Sequence, residues 1–448
     1  MSLSWSILRK LYKLPRTVLK RSAFISSDGC VRYKYTAQLC VDVQKEFDQG
    51  QLKYKKHPGI RQSYVHLPQE LQIAAEKVLN GSGVHINHLR QESVNLWNLL
   101  WSRKIPVEES ELQEKALLLE KQELEKDYRK LQESTTEEKE KLEQSRKDRV
   151  LYRLKRTMYH WKPIDYSYHQ GLLYLAGRLA PDYASLTQIF SEVCSLYVFR
   201  AAHSAWGGSI IEYFCVDVSS DMNNLSQLLV QGGDENSRMF MDGIFFRQFL
   251  PASNERTYDI VTSCYSLLEL PSASDRFNLI DQLWRKTVDM LVIIENGTKA
   301  GHTVVLEARD RILQKHFDEE EKPCVLAPCP HNMECPVADS KIPCNFEVSY
   351  IPLLNDKTMK KCNHRYSYVV LRKGRNGNKW PRIVEPVLPR RKHVVCRMCC
   401  NDGHLHEVIF TKAKHKGHLY RCARISHWGD LLPVDVAPSP VKESKFES

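Results

Sequence analysis

The chain of 448 residues has no run of about 18 uninterrupted apolar residues, so the sequence predicts no membrane span. Acidic residues are missing from positions 1–27, where Arg9, Lys10, Lys13, Arg16, Lys20 and Arg21 are interspersed with Leu3, Ile7, Leu8, Leu11, Leu14 and Leu19. The apolar core of a secretory signal is missing there too. Residues 1–27 therefore read as a mitochondrial transit peptide, which places the protein in the mitochondrial matrix. The competing reading is a basic arm that stays attached, and the stretch is set aside from fold reasoning.

Closely paired cysteines are absent from the most cysteine-dense stretch, Cys324 to Cys344, which speaks against an ordinary zinc knuckle there. Four cysteines, His331 and four prolines fall within it. The prolines fix φ and remove amide donors, so the segment reads as a ligand loop and not as a helix or strand. Of the 14 cysteines in the chain, nine follow residue 320, a metal or redox pattern more than a secreted disulfide framework. Three readings stay open for the loop: buried free thiols, zinc, and an iron-sulfur cluster. The cluster is favoured because a cubane tolerates irregular spacing, each thiolate binding its own iron. The net charge of +11 favours a polyanionic partner.

The length accommodates two or three domains. Residues 28–105 read as helical: Leu71, Ile73, Ala74, Val78 and Leu79 make a stripe after Pro68, and Val94, Leu96, Trp97, Leu99, Leu100 and Trp101 make a second. Residues 106–148 are almost wholly charged, with Leu117, Leu124 and Leu131 seven apart and Tyr128 between. They predict one long helix or a short coiled coil, a spacer arm in preference to a dimerising zipper. Dense apolar residues resume at 149, where Tyr152 of Leu151-Tyr152-Arg153, a tripeptide some iron-sulfur clients use for recruitment, is expected in the core.

From Ile210 onward, apolar runs alternate with helical segments: Ile210–Val218, Gly243–Leu250, Tyr258–Leu270 and Met290–Gly297. Continuous apolar strands separated by helices predict an α/β domain over 149–320 with a parallel sheet covered on both faces. Asp217, at the carboxyl end of the first run, stands where such folds hold a nucleotide ribose; capping the next helix is its alternative role. Cys264 reads as a buried strand-end cysteine.

The segments Tyr174-Leu-Ala-Gly-Arg-Leu-Ala-Pro-Asp-Tyr-Ala, Cys215-Val-Asp-Val-Ser, Ser266-Leu-Leu-Glu-Leu-Pro-Ser, Glu295-Asn-Gly-Thr-Lys-Ala-Gly, Ala308-Arg-Asp, Ala327-Pro-Cys-Pro-His, Cys400-Asn-Asp-Gly and Trp428-Gly-Asp-Leu are specific markers. Over residues 165–433 the chain resembles the mitochondrial methyltransferase-like proteins that associate with the assembling small ribosomal subunit. The resemblance implies a Rossmann-like, class I S-adenosylmethionine methyltransferase fold, a [4Fe-4S] cluster, and a role in maturing the small subunit through its rRNA, as a monomer on the ribosome. It also implies the ligands Cys329, Cys335, Cys344 and Cys400, with Cys324, Cys396 and Cys399 as alternates.

One departure bears on catalysis. No Gly-x-Gly turn occurs between Leu175 and Trp206, where the family pattern has the backbone cradle for S-adenosylmethionine and a first strand. The amino-methyltransferase signature is also missing after the run at Tyr258, where Ser263-Cys-Tyr-Ser stands. The expectation is an assembly factor, with an active S-adenosylmethionine-dependent rRNA methyltransferase as the alternative. Residues 321–345 form the cysteine loop and 346–433 a β-rich basic extension, with ten Lys or Arg against three Asp or Glu over 381–424. In that extension Cys396, Cys399 and His404 or His406 compose a competing zinc knuckle, and 434–448 read as a disordered tail.

Overall fold

The computed structural model describes residues 35–438, apart from 55–58, 60, 62, 63, 134, 160, 196–209, 254, 318–320, 355–360, 375, 376, 378 and 416. The leader, the stretch around Ala201 and the chain beyond Pro438 lie outside the described residues. One compact unit spans Tyr35–Ala437. No described helix is long and apolar enough to cross a membrane.

At the centre is a five-stranded sheet of β4 (Tyr258–Cys264), β5 (Thr287–Asn296), β6 (Pro323–Ala327), β7 (Phe346–Tyr350) and β8 (Cys362–Lys373). Its order is β4-β5-β8-β6, with β7 also paired to β8. The uninterrupted apolar run in β5 has its cause in burial on both faces: Met290, Val292 and Ile294 enter one core, Leu291 and Ile293 the other. Burying each such side chain contributes about 1.5–3 kcal/mol. Helix α6 (Tyr168–Ser195) covers the first face through Ala180, Ala184, Ile189 and Val193. Helices α8 (Ala273–Lys286) and α9 (Lys299–Lys315) cover the second, through Trp284, Val304, Ala308 and Ile312.

The expected parallel sheet is a mixed one. The β4–β5 pair is parallel, whereas β8 runs antiparallel to β5, β6 and β7. Apolar continuity reports two covered faces and not strand direction, and β8 between its helical layers meets that condition as well as a parallel strand does. A separate parallel pair, β2 (Tyr213–Val216) with β3 (Ile244–Arg247), is not hydrogen-bonded to the larger sheet. Val216 and Val218 on the unpaired side are exposed, as is Cys215.

The helices α2 (Gln69–Gly81), α3 (Ile86–Ser102), α6 and α7 (Ser220–Val230) share a third core built on Leu79, Leu89, Leu96, Leu172 and Leu225. The charged arm is a hairpin and not one long helix. Helix α4 (Glu109–Glu133) turns into α5 (Thr136–Thr157), whose start is fixed by a capping box between Thr135 and Glu138. The hairpin closes on charge: the Glu123 carboxylate accepts from Lys126 at 2.6 Å, Arg149 at 2.8 Å and Arg153 at 2.7 Å. The Lys126 and Arg149 hydrogen bonds, helped by Arg153, outweigh burial and pull Glu123 down to about 2. A depressed carboxylate stabilises fully above its unfolded value of about 4.3 and loses that contribution as the folded group takes up its proton. Helicity measured by circular dichroism is therefore expected to fall between about pH 4 and 2, and the Glu123→Gln variant to lose that step. Tyr152 is 64 % exposed, against the core position expected for it, because Arg153 turns that face of α5 toward Glu123 and leaves Tyr152 outside.

The remaining residues build a smaller β unit. Strands β9 (Arg382–Ile383), β10 (Leu388–Pro389), β11 (His393–Cys399) and β12 (Leu405–Thr411) form its sheet, and α10 (His418–Ile425) packs on it. Its core includes Ile383, Val394, Met398, Phe410 and Leu432, and also Ala37 and Phe47 from the far end of the chain. Those two come from β1 (Tyr35–Leu39) and α1 (Val41–Asp48), and β1 pairs with β13 (Val434–Pro438). Three boundaries therefore shift. The region after residue 28 includes a strand, β7 and β8 belong to the central sheet and not to an extension, and 434–438 are a paired strand and not a tail. A five-residue strand carries too short a period to be read without its partner.

Candidate metal centre and basic surface

The cysteine loop leaves β6 through the cis Ala327–Pro328 peptide and is held from every side. The Asn332 side chain accepts from the Val325 amide at 2.8 Å. From α9, the buried Arg309 guanidinium donates to the carbonyls of His331 and Met333, and Lys299 donates to that of Ala338. Arg382 of the small unit donates to the Pro328 carbonyl at 3.0 Å. At the loop's far end, Asn345 donates to the Gly297 carbonyl at 2.6 Å and Ser367 to that of Cys344 at 2.8 Å. Gly301 is required where α9 meets β5, since a Cβ there would lie 2.0 Å from the Asn296 carbonyl oxygen.

Within this frame Cys329, Cys335, Cys344 and Cys399 stand close enough to feel one another's charge. Burial pushes Cys329 up to about 11, opposed by Arg309, with Cys335 raising it further. Burial raises Cys344, and Cys329 and Cys335 add to the effect. Cys399 is raised by burial and by all three loop cysteines. Cys335 and Cys399 are buried, Cys329 and Cys344 half-buried. Four neighbouring thiols whose ionisation is suppressed are a poor resting arrangement for thiolates without a cation, and a metal centre supplies one.

Of the two adjacent cysteines at the end of β11, it is Cys399, an alternate, that faces the loop, whereas Cys400 faces the small unit's core. Side chains alternate along β11, so Cys396, Met398 and Cys400 enter the small unit's core while Cys399 faces the loop. The same alternation places Cys396 and Cys399 on opposite faces of β11, an arrangement that does not suit the competing zinc knuckle. His406 is engaged instead with Asp402, at 2.6 Å. Cys324 lies within β6, buried in the central sheet. Among the described residues, no three His, Cys, Asp or Glu converge closely enough for a single ion. One zinc draws its thiolates to about 2.3 Å, whereas a cubane spreads four of them over separate irons.

Asp217 follows β2, and its carboxylate accepts from the Ser219 amide at 2.8 Å, closing a local turn. The cap of α7 is Ser219, which accepts from the Met222 amide; the alternative capping role expected for Asp217 therefore goes to its neighbour. At the carboxyl ends of β4 and β5, buried Arg178 crosses a cleft lined by Tyr166, Tyr174, Tyr265 and Glu269. It pairs with Asp182 at 2.7 Å, donates to Asn296 at 3.0 Å and stacks on Tyr265. Cys264 packs against the sheet core and its thiol is pushed up by burial.

The basic surface is narrower than composition implied. Arg382 is buried, and Arg397 is matched by Glu385 and Glu407. The exposed cations gather where β11 begins and β12 ends, in the register His393 opposite Thr411. Arg390, Arg391, Lys392, Lys412, Lys414 and Arg424 are exposed there, and Arg424 donates to the Arg390 carbonyl at 3.0 Å. Cys399 pairs with Leu405 at the opposite end of the hairpin, about 20 Å away at 3.3 Å per residue. The sequence reading missed Arg309, Arg382 and Asn345 as supports of the loop; Ala308-Arg-Asp had stood out only as a marker.

Residues 168–433 match the family described as mitochondrial small ribosomal subunit Rsm22. The human ribosome assembly protein METTL17, mitochondrial, is 40% identical over 407 residues, covering 85% of this chain and 86% of that protein. Two proteins of Schizosaccharomyces pombe, Rsm22-cox11 tandem proteins 1 and 2, mitochondrial, are each 30% identical over 231 residues, covering 42% of this chain and 30% of theirs. The mitochondrial matrix location expected from the leader agrees with these relatives. With the mixed sheet, the helices that cover it and the cysteine loop lying inside the matched span, the chain belongs to the Rsm22 family of mitochondrial small ribosomal subunit proteins.

Proposed function

We propose that this protein is an assembly factor of the mitochondrial small ribosomal subunit that grips its rRNA and carries a structural [4Fe-4S] cluster on a methyltransferase-like fold. Cys329, Cys335, Cys344 and Cys399 would hold the cluster, which supplies cationic charge where four neighbouring thiolates would repel one another. The observation that carries the reading is the β11–β12 hairpin: Cys399, which would be a cluster ligand, stands at one end and six exposed cations gather at the other. A hairpin pinned at its metal end presents the basic end in a fixed orientation, as phosphate contacts on folded RNA require. The parallel pairs β2–β3 and β4–β5 with antiparallel β8 support the methyltransferase-like reading of the sheet.

The non-catalytic reading is favoured over the alternative, an S-adenosylmethionine-dependent rRNA methyltransferase. Asp217 spends one carboxylate oxygen on its own turn, and Arg178 crosses the cleft at the strand ends. Titration of the purified chain with S-adenosylmethionine, followed by calorimetry, is expected to give no binding isotherm; saturable binding together with methyl transfer to small-subunit rRNA would restore the alternative.

The basic patch has its own test. Replacing Arg391, Lys392, Lys412 and Lys414 with alanine should weaken binding to small-subunit rRNA and flatten its salt dependence, each lost phosphate contact lowering the log-log slope by about 0.7–0.9. An unchanged slope would remove the patch from the interface.

A further inference from the structure

His331 lies in the cysteine loop with both ring nitrogens engaged. Its Nδ1 is 3.2 Å from the Met333 carbonyl oxygen and its Nε2 is 3.2 Å from Cys399 Sγ. A carbonyl oxygen only accepts, so the proton of the neutral ring sits on Nδ1 and the Nε2 lone pair faces the sulfur. A metal-ligating histidine has this arrangement, one nitrogen oriented by a backbone carbonyl and the other turned to the metal. Arg309 holds the His331 and Met333 carbonyls from α9, and the ring is buried. The other donor at this position comes from a different part of the fold: Cys399 is on β11 of the small unit, whereas Cys329, Cys335 and Cys344 are in the loop with His331.

We propose that His331 is a stand-by ligand that takes over the fourth coordination position when the Cys399 thiolate is withdrawn. This rests on the cluster reading above. The exchange breaks one iron-sulfur bond and forms one iron-nitrogen bond; the departing thiolate takes a proton from water, and no electron moves. Three loop thiolates and one loop imidazole then keep the centre on the large sheet when the small unit is detached. The exchanged centre carries one negative charge less, and its reduction potential is higher, as in clusters where histidine replaces cysteine.

The test uses the full-length chain purified anaerobically, with iron and sulfide analysis and pulsed electron paramagnetic resonance of the dithionite-reduced protein. Cys399→Ala is expected to retain at least half of the wild-type iron and to acquire a nitrogen-14 hyperfine coupling absent from wild type. Adding His331→Ala should remove both, and Cys344→Ala should lose the iron with His331 intact. If Cys399→Ala does not fold, Cys399→Val fills the side chain's space without a donor atom and carries the same nitrogen readout. A folded Cys399 variant that loses iron as completely as Cys344→Ala, or keeps it without nitrogen coupling, overturns the proposal while leaving the cluster reading intact. Iron-free and sulfide-free wild type overturns both.

Discussion

Substituting Cys329 with serine is expected to strip the chain of iron and sulfide and to release it from small-subunit particles in the same step. The loop's other supports are single hydrogen bonds from Asn332, Lys299, Asn345 and Ser367 and the contacts of two buried arginines. A net hydrogen bond contributes about 1 kcal/mol, whereas structural metal sites contribute on the order of 10 kcal/mol. That is comparable with the whole stability of a domain, about 5–15 kcal/mol. Hydrogen exchange should therefore rise throughout β11 and β12 and stay low in β5, whose protection comes from the two apolar cores. Asp217→Ala should leave iron, exchange and sedimentation with the particles unchanged. Equal losses from the two substitutions would contradict the ranking of brace over catalyst.

The second large effect is expected at Glu192, buried in the last turn of α6. Its carboxylate accepts from Arg382 and from the Tyr368 hydroxyl at 2.8 Å, and Arg61 lies 3.7 Å away. Arg382 also reaches the carbonyls of Pro328 and Gly429, so one guanidinium ties α6, the cysteine loop and the small unit together. Removing one member of a buried pair strands the other's charge, at a cost of about 3–5 kcal/mol. Glu192→Gln and Arg382→Ala should each lower the unfolding free energy measured by denaturant titration by that amount, and the double variant by less than their sum. Burial alone would raise Glu192, but Arg382 and Arg61 outweigh it and the group is lowered. Its contribution is then complete above the unfolded value of about 4.3 and fades as pH falls below it. A Glu192→Gln variant with unchanged acid stability would show the pair to be inert.

The sequence made the helices after Pro68 and the apolar β5 run readable, because each is written in local periodicity or composition. Strand direction was not readable, since Val369 and Val370 look alike whichever way β8 runs. The choice between Cys399 and Cys400 was hidden for a related reason. It depends on which face of β11 meets the core, and only the pairing of Val394 with Phe410 and Met398 with His406 fixes that face. The hairpin arm misled because Leu117 and Leu124 invite a heptad reading, while the helices actually meet through Glu123, Asp127, Arg149 and Arg153. Arg309 and Arg382 support the loop from 22 and 54 positions away, a separation that no local pattern records.

The pairing of β1 with β13 has a kinetic corollary. Residues near position 37 reach their partners near 434 only after everything between them has been synthesised and imported, so the smaller core is topologically the last to close. The three loop thiols precede that event in chain order, and the β11 thiol is delivered by it. With the proposed cluster, maturation of the inorganic centre and completion of the polypeptide would converge on one late step, a single point at which a finished molecule would be distinguished from an unfinished one.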